Sequence, residues 1–437
     1  MVKIGLTPEH AAAITAASGT GSQIMPPILG SAGFIMPLYL GTTYWYVVVA
    51  SVIPALLYYT YLLLYVDLIS KKLGLRGIPD SELPERREIL LNAYLFSPIV
   101  LLLWLLATGY EAETSALGSI LAVLLIASLR HSKALASALS LSLLTLLAAF
   151  AYFLGSVTSS ILLVSAMLVL LSLAVGVRGG ARAYSHKVVG GLSKAFREAV
   201  SIVLTCAGAG IIGGVLALSG LSYTLGKAIW DISGGNVYIV LLIVMFIAIL
   251  LGFGLPTPVV YVTTVSILGP LAAFLSIPKI ALHYFIFYFG IFAPLTPPVA
   301  LASYAAASIA RADFWKTGIT AFASTVAAWV IAWSFILRPN LLLVTLSSVS
   351  STEVLVTLVD ALVVLAAMIL LLASYVGTAW GYSSLSALTR SVFVALAALG
   401  LVSLVIRYLI PVFLASFAVA LSLPFVKTRL GGGARAR

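Results

Sequence analysis

Two Pro-Pro pairs stand in the chain, Pro26-Pro27 and Pro297-Pro298, and hydroxyls surround each of them. Ser18, Thr20 and Ser22 precede the first pair, and Thr296 and Ser303 flank the second. Neither proline of a pair donates a backbone hydrogen bond, and each restricts the residue before it, so a helix must break there. A helix broken inside a low-dielectric medium exposes carbonyls from one half and amides from the other. Carbonyls and hydroxyls together offer neutral oxygen ligands to a hard cation such as sodium, and the positive start of the second half attracts an anion. Thr257 adds a hydroxyl at the bend Gly252-Phe253-Gly254-Leu255-Pro256-Thr257-Pro258, which faces the second pair. For a single segment of this kind, the rival reading is a proline kink without a ligand.

The elements that carry these residues belong to a membrane protein. Of 437 residues, 62% are hydrophobic and only 8% charged, and the mean hydropathy is +1.17. A soluble chain cannot cover so much apolar surface, so a soluble enzyme is excluded. Apolar stretches near the ~20 residues that a crossing needs lie at 42–66, 89–109, 134–154, 157–177, 199–218, 314–337 and 353–376. Residues 115–130 are shorter, and 391–406 and 408–423 are short spans separated by Arg407. Three stretches depart from a plain helix. Residues 11–40 and 279–310 are long enough to cross and are broken in the middle by the Pro-Pro pairs. Residues 236–276 are apolar and fold back at the Gly-Pro bend, as a hairpin with its tip inside the membrane. Met25 to Ala32 lies over Thr296 to Ser303 at an offset of 271 residues (297 − 26), a short match that by itself is weak support for a repeat.

Charge placement tests the repeat independently. Lys71, Lys72, Arg76, Arg86 and Arg87 mark one cytoplasmic loop, and Arg178, Arg182, Lys187, Lys194 and Arg197 another. Arg130 and Lys133, Arg311 and Lys316, and the tail with Lys427, Arg429, Arg435 and Arg437 fall on the same side. By this count 20 of 24 Lys and Arg are inside, the exceptions being Lys227, Lys279, Arg338 and Arg407. The first broken helix then runs inward to outward and the second outward to inward, the inverted pattern of secondary transporters.

Other chemistries find no footing in the sequence. One cysteine, Cys206, permits neither an internal disulfide nor a C-x-x-C site. H-E-x-x-H and G-x-S-x-G are absent. Residues 220–227 imitate a phosphate loop, but the glycine spacing is wrong and Ala228 replaces the hydroxyl that would touch magnesium. The net charge of +11 sits beside apolar segments and reads as topology, so no nucleic-acid partner is expected. The first ten residues are not a signal peptide. Three further features keep two readings, and a fourth keeps one. Asp360 is an intramembrane carboxylate with a function or reaches the outer interface, the reading we favour. His283 shuttles protons or, the favoured reading, is a neutral hydrogen-bonded histidine. Residues 178–198 form a surface-lying helix or a positive-inside loop. Gly210 and Gly214 are explained by close helix packing.

The run Gly19-Thr20-Gly21-Ser22-Gln23-Ile24-Met25-Pro26-Pro27, followed by Ile53-Pro54-Ala55-Leu56-Leu57-Tyr58-Tyr59, resembles the large permease subunit of TRAP transporters. So do Gly254-Leu255-Pro256-Thr257, residues 283–290, and Leu295-Thr296-Pro297-Pro298 through Ala307. The likeness covers roughly residues 6–423 and is nearest to the branch with fused small and large subunits that works with TAXI-type solute-binding proteins. It implies sodium-driven uptake of small organic anions, carboxylates among them, delivered by an extracytoplasmic solute-binding protein, and an elevator mechanism. It implies sodium ligands at Ser18, Thr20, Gly21 and Ser22 for one site and at Gly254, Thr257, Thr296 and Pro297 for the other. Gln23, Pro26, Pro298 and Ser303 are the candidates for the substrate beside them. Against the family pattern, the chain starts just before the first Pro-Pro helix. The match is to the C-terminal portion, and a small membrane subunit region and a first hairpin are expected from a separate upstream polypeptide, or lost by truncation or decay.

The expectation is an all-α integral membrane protein, a polytopic helix bundle with inverted repeats, Pro-Pro broken helices and a re-entrant hairpin. Residues 1–41 hold the first broken helix, 42–197 scaffold and connecting helices, 198–337 the second transport repeat, and 338–437 additional helices and a basic tail. It lies in the cell membrane with its C-terminus cytoplasmic, contacts lipid, performs no covalent chemistry and takes no cofactor beyond a coupling ion. The rival readings are a standalone ion-coupled carboxylate carrier and a non-transporting membrane scaffold or remnant.

Overall fold

The computed structural model describes residues 1–75, 77, 85–131, 182–345, 350–379 and 385–431. The expected spans 134–154 and 157–177 lie outside the described residues, as do Arg76, Lys133, Arg178, Arg435 and Arg437. Among the described residues the regular elements are helices and there is no β-strand. The chain divides into two compact units, Met1–Ile78 with Thr205–Arg437, and Pro79–Leu204.

The smaller unit holds α4 (Arg86–Leu91), α5 (Ser97–Ala107) and α6 (Ala112–His131). The span expected at 89–109 is therefore not one helix. Asn92 Nδ2 turns back to the Glu88 carbonyl at 2.9 Å and ends α4. Pro98 brings no N–H to continue the ladder, so a 3₁₀ turn, Ala93–Phe96, intervenes. α5 packs on α6 where Gly118 faces Leu105.

The basic stretch from residue 182 is neither a separate surface helix nor a loop. It is the first part of α7 (Arg182–Leu218), one helix of 37 residues. Gly220, at φ 71°, ends this run and starts α8 (Leu221–Ile232), bent 73° from residues 206–218. Gly226 and Lys227 lie inside α8, so no phosphate loop exists there. The packing expected of Gly210 and Gly214 falls instead to Gly213. A Cβ on Gly213 would lie 2.3 Å from Ser266 Oγ, whereas Gly210 and Gly214 meet nothing within 4 Å among the described residues.

The larger unit is built on two broken helices and a hairpin. α1 (Pro8–Gly21), a 3₁₀ turn (Ser22–Ile24) and α2 (Ser31–Leu40) make the first broken helix. α11 (Lys279–Phe292), a 3₁₀ turn (Ala293–Leu295) and α12 (Leu301–Ala310) make the second. The hairpin is α9 (Val237–Gly252) and α10 (Thr257–Leu268). At 16 and 12 residues, its arms fall short of the ~20 that a full crossing needs. Around them stand α3 (Tyr44–Lys72), α13 (Phe314–Ser324) and α14 (Val326–Leu337), with α15 (Ser351–Val376), α16 (Ala387–Val405) and α17 (Ile410–Gly431). α3, the pair α13–α14, α15 and α16 are long and apolar enough to cross a membrane.

α11 is the axis of the core. Residues 280–292 of it are all buried, and their rings meet Trp329, Trp333 and Phe335 of α14 edge to face. α15 lies along α3. Lys72 Nζ donates to the Val376 carbonyl at 2.7 Å, a cation on the last turn of a helix. Farther along α15, Asp360 is 1% exposed. It is buried against protein rather than exposed. Asn340 Nδ2 donates to its Oδ2 at 3.0 Å and to Thr357 Oγ1 at 3.1 Å, and Arg338 Nε stands 4.0 Å away. A carboxylate so placed must be partnered to be tolerated, and the turn Pro339–Leu342 brings the partners in.

Candidate functional site

The two breaks are alike in construction. Each broken helix consists of 14 helical residues, a 3₁₀ turn of three and a second half of 10. The offset between them is 271 through the turn (279 − 8) and 270 after the break (301 − 31). The first copy spends residues 25–30 on its break and the second only 296–300. The sequence alignment is thus right up to the prolines and slips by one after them, so Ser303 corresponds to Gly33, not to Ala32. Both Pro-Pro peptide bonds are cis. α1 packs against α12, and α2 against α10. The first half of the first broken helix thus lies beside the second half of the other.

At the first break, Ser18, Thr20 and Gly21 occupy the last turn of α1 and Ser22 opens the 3₁₀ turn. Ser22 Oγ donates to the Gly19 carbonyl at 2.7 Å, which spends its proton and leaves its lone pairs as acceptors. The Ser18 carbonyl accepts from Tyr59 Oη at 3.0 Å, and the Ala17 carbonyl from Tyr58 Oη at 2.9 Å. Gln23 folds over the break. Its carbonyl takes the Gly30 amide at 2.8 Å, and its Oε1 is 2.9 Å from where a Gly30 Cβ would stand. Pro26 follows, half-buried.

At the second break, Thr296 is buried, and its Oγ1 donates to the Phe292 carbonyl at 3.1 Å. Like Ser22, it keeps acceptor lone pairs. Pro297 is half-buried and Pro298 exposed. Ala300 adopts φ 34° at the start of α12, where no side chain caps the helix, so the first amides of α12 lack intrahelical partners. Ser303, in the first turn, is fully buried and its Oγ has no hydrogen-bond partner among the described residues; the same holds for Thr317 on the neighbouring α13. Unpartnered buried hydroxyls beside an uncapped helix start are polar groups that a ligand would satisfy.

The hairpin tip belongs to this second break. A Cβ on Gly252 would lie 2.3 Å from Ala293 Cβ and 3.2 Å from the Gly290 carbonyl, so the end of α9 is pressed onto the 3₁₀ turn before Thr296. Gly254, exposed at φ 97°, and Thr257 follow at once. α10 is tied to α11 by Tyr261 Oη and His283 Nδ1, 2.6 Å apart and buried, the hydrogen-bonded histidine favoured above.

The structure adds tyrosines that the motifs had not singled out as site residues. Tyr58 stands between the breaks. Its ring covers Gly21, whose Cβ would meet it at 2.3 Å, and lies 5.1 Å from Phe292. Tyr44 Oη donates to the Pro27 carbonyl and Tyr304 Oη to the Pro298 carbonyl, each at 2.9 Å. The available signal was general: an interior tyrosine must satisfy its hydroxyl. Among the described residues, no group of three or more His, Cys, Asp or Glu is placed to hold a metal, so the donors at both breaks are neutral oxygens.

Comparison with known proteins agrees with this architecture. The family model described as tripartite ATP-independent periplasmic transporter, DctM component, matches residues 1–151 and 129–350. No curated protein and no solved structure matches the chain. The family match spans both broken helices and the hairpin, so this chain, a multi-pass membrane protein of transporter type, belongs to the DctM family of tripartite ATP-independent periplasmic transporters.

Proposed function

We propose that the protein is the permease of a sodium-coupled importer of small organic anions, carboxylates in particular, in the cell membrane. The observation that carries this reading is the pair of matching breaks, each offering neutral carbonyls and hydroxyls beside a helix start without a side-chain cap. Ser18, Thr20, Gly21 and Ser22 hold one sodium ion, and Gly254, Thr257, Thr296 and Pro297 the other. Neutral oxygens suit a hard monovalent cation, and the two breaks bring no carboxylate that would favour a divalent ion. The substrate carboxylate sits beside them, near Gln23, Pro26, Pro298 and Ser303, drawn by the amides that open α2 and α12. Sodium at the second site fastens the hairpin tip to the break. The unit of broken helices and hairpin then slides as an elevator against its scaffold. An extracytoplasmic solute-binding protein of the TAXI type delivers the anion, and the C-terminus is cytoplasmic.

Equilibrium binding of ²²Na⁺ to the purified full chain tests the assignment. Saturable binding is expected, with Thr296→Leu and Thr257→Leu each removing the second site while the first persists. Binding that does not saturate, or that both variants leave unchanged, would sink the sodium sites.

A further inference from the structure

The two breaks turn the same carbonyl onto a tyrosine hydroxyl, but the hydroxyl comes from different residues. Pro27 and Pro298 are the second prolines of their pairs and correspond at the 271-residue offset. Tyr44 Oη donates to the Pro27 carbonyl at 2.9 Å and accepts from the Leu29 amide at 3.2 Å. Tyr304 Oη donates to the Pro298 carbonyl at 2.9 Å. Tyr44 opens α3, and its ring stacks on Phe34 of α2 with centroids 4.5 Å apart. Tyr304 lies in α12, and its ring meets Phe314, the first residue of α13, at 6.0 Å. At the 270-residue offset that holds after the break, Phe34 corresponds to Tyr304 (304 − 34) and Tyr44 to Phe314 (314 − 44). Even the caps before these helices correspond. The Thr43 hydroxyl accepts from the Tyr46 amide, and the Asp313 carboxylate from the Lys316 amide. Each repeat thus keeps one aromatic pair beside its break, and the hydroxyl has changed partners within the pair while its target carbonyl has not.

Inheritance of a single tyrosine does not produce this exchange; a requirement at the carbonyl does. With the second-proline carbonyl engaged, the first-proline carbonyls of Pro26 and Pro297 carry no hydrogen bond among the described residues. We propose that Tyr44 and Tyr304 are positioning residues of the two cation sites, each drawing the second-proline carbonyl aside and leaving the first-proline carbonyl as the one that meets the ion. The inference rests on the sodium reading of the breaks, adds the Pro26 carbonyl to the first cation site beside its place next to the substrate, and brings in two tyrosines that the ion does not touch.

The substitutions Tyr44→Phe and Tyr304→Phe remove only the hydroxyl and keep the ring pair. The probe is sodium alone. The melting temperature of the detergent-purified full chain is followed across NaCl, balanced with choline chloride, and repeated with LiCl; an ion that binds the folded state raises it. Each variant should need about fivefold more Na⁺ for half the effect, the equivalent of one lost hydrogen bond. Each should also change the ratio of Na⁺ to Li⁺ required, which a merely structural loss would leave alone. Tyr61→Phe is the control, since its hydroxyl bonds the Ala323 carbonyl away from both breaks, and it should match the parent. A parent that responds to Na⁺ while both variants keep its half-saturation and ion ratio overturns the positioning role and leaves the sodium reading standing. Variants that only melt lower, at unchanged half-saturation, overturn it equally. A parent indifferent to Na⁺ overturns the sodium reading, and this inference with it.

Discussion

Glycines at the breaks separate contact from freedom. Gly21 and Gly252 are places where a Cβ would strike the Tyr58 ring or Ala293 at 2.3 Å, while Gly19, two residues away on α1, meets nothing within 4 Å among the described residues. Overpacking of this kind costs about 1–3 kcal/mol, so Gly21→Ala and Gly252→Ala should each lower the melting temperature by several degrees. Gly19→Ala should be neutral or stabilising by up to about 1 kcal/mol, because alanine is the better helix former. Thermal melting of the three variants checks this, and equal effects at all three would remove the close-approach account. Ala300 carries the opposite strain. It holds φ 34°, a conformation that costs a non-glycine residue about 1–2 kcal/mol, so Ala300→Gly should raise the melting temperature in the same melts. Which glycine is crowded was not legible in the sequence, since the neighbours that crowd Gly21 and Gly252 lie 37 and 41 residues away.

At the scale of elements, polar clasps fasten helices that are otherwise apolar and interchangeable. α15 is held to α3 by Lys72 at one end, and Asp360 takes its partners from the turn after α14. Arg338, in that turn and outside the helices, has its guanidinium pulled below its ordinary value by burial and by Arg407, with Asp360 opposing. Asp360→Ala leaves Asn340 and the buried Arg338 Nε without their carboxylate and should cost about 1.5–3 kcal/mol. Limited proteolysis of the full chain should then cut first around residues 339–345; an unchanged digest and melting temperature would show the clasp to be idle. Hairpin and broken helices were readable beforehand, because proline and glycine act on the backbone at their own position. The 89–109 stretch misled because hydropathy reports burial in lipid, not the one missing amide of Pro98.

For the whole molecule, the inverted orientation of the two broken helices read from charge placement makes a prediction about sidedness. α1 lies beside α12 and α2 beside α10, and it is the charge on the flanking loops that assigns the two copies opposite directions through the bilayer. Cys206 is the sole cysteine, so Cys206→Ala provides a cysteine-free background. In it, Ser276→Cys before α11 and Lys316→Cys after α12, both at exposed positions, should differ in labelling. A membrane-impermeant maleimide on intact cells should modify the first and not the second until the cells are opened. Labelling of both, or of the second alone, would refute the orientation.

From sequence alone came the membrane environment, the helical class, the two breaks, the hairpin and the family likeness. Each rests on properties summed along the chain or acting within a turn of it: hydropathy, charge placement, and the missing amides of proline. Tertiary structure alone decided what depends on residues distant in sequence. It pressed the hairpin tip onto the second break, set Tyr58 between the breaks, buried Asp360 against Asn340 rather than exposing it, and slipped the second halves by one residue. It also brought the tyrosine hydroxyl of each aromatic pair onto a proline carbonyl. A hydrogen bond is directional and reaches about 3 Å, so its partner is known only when the elements on both sides are in place.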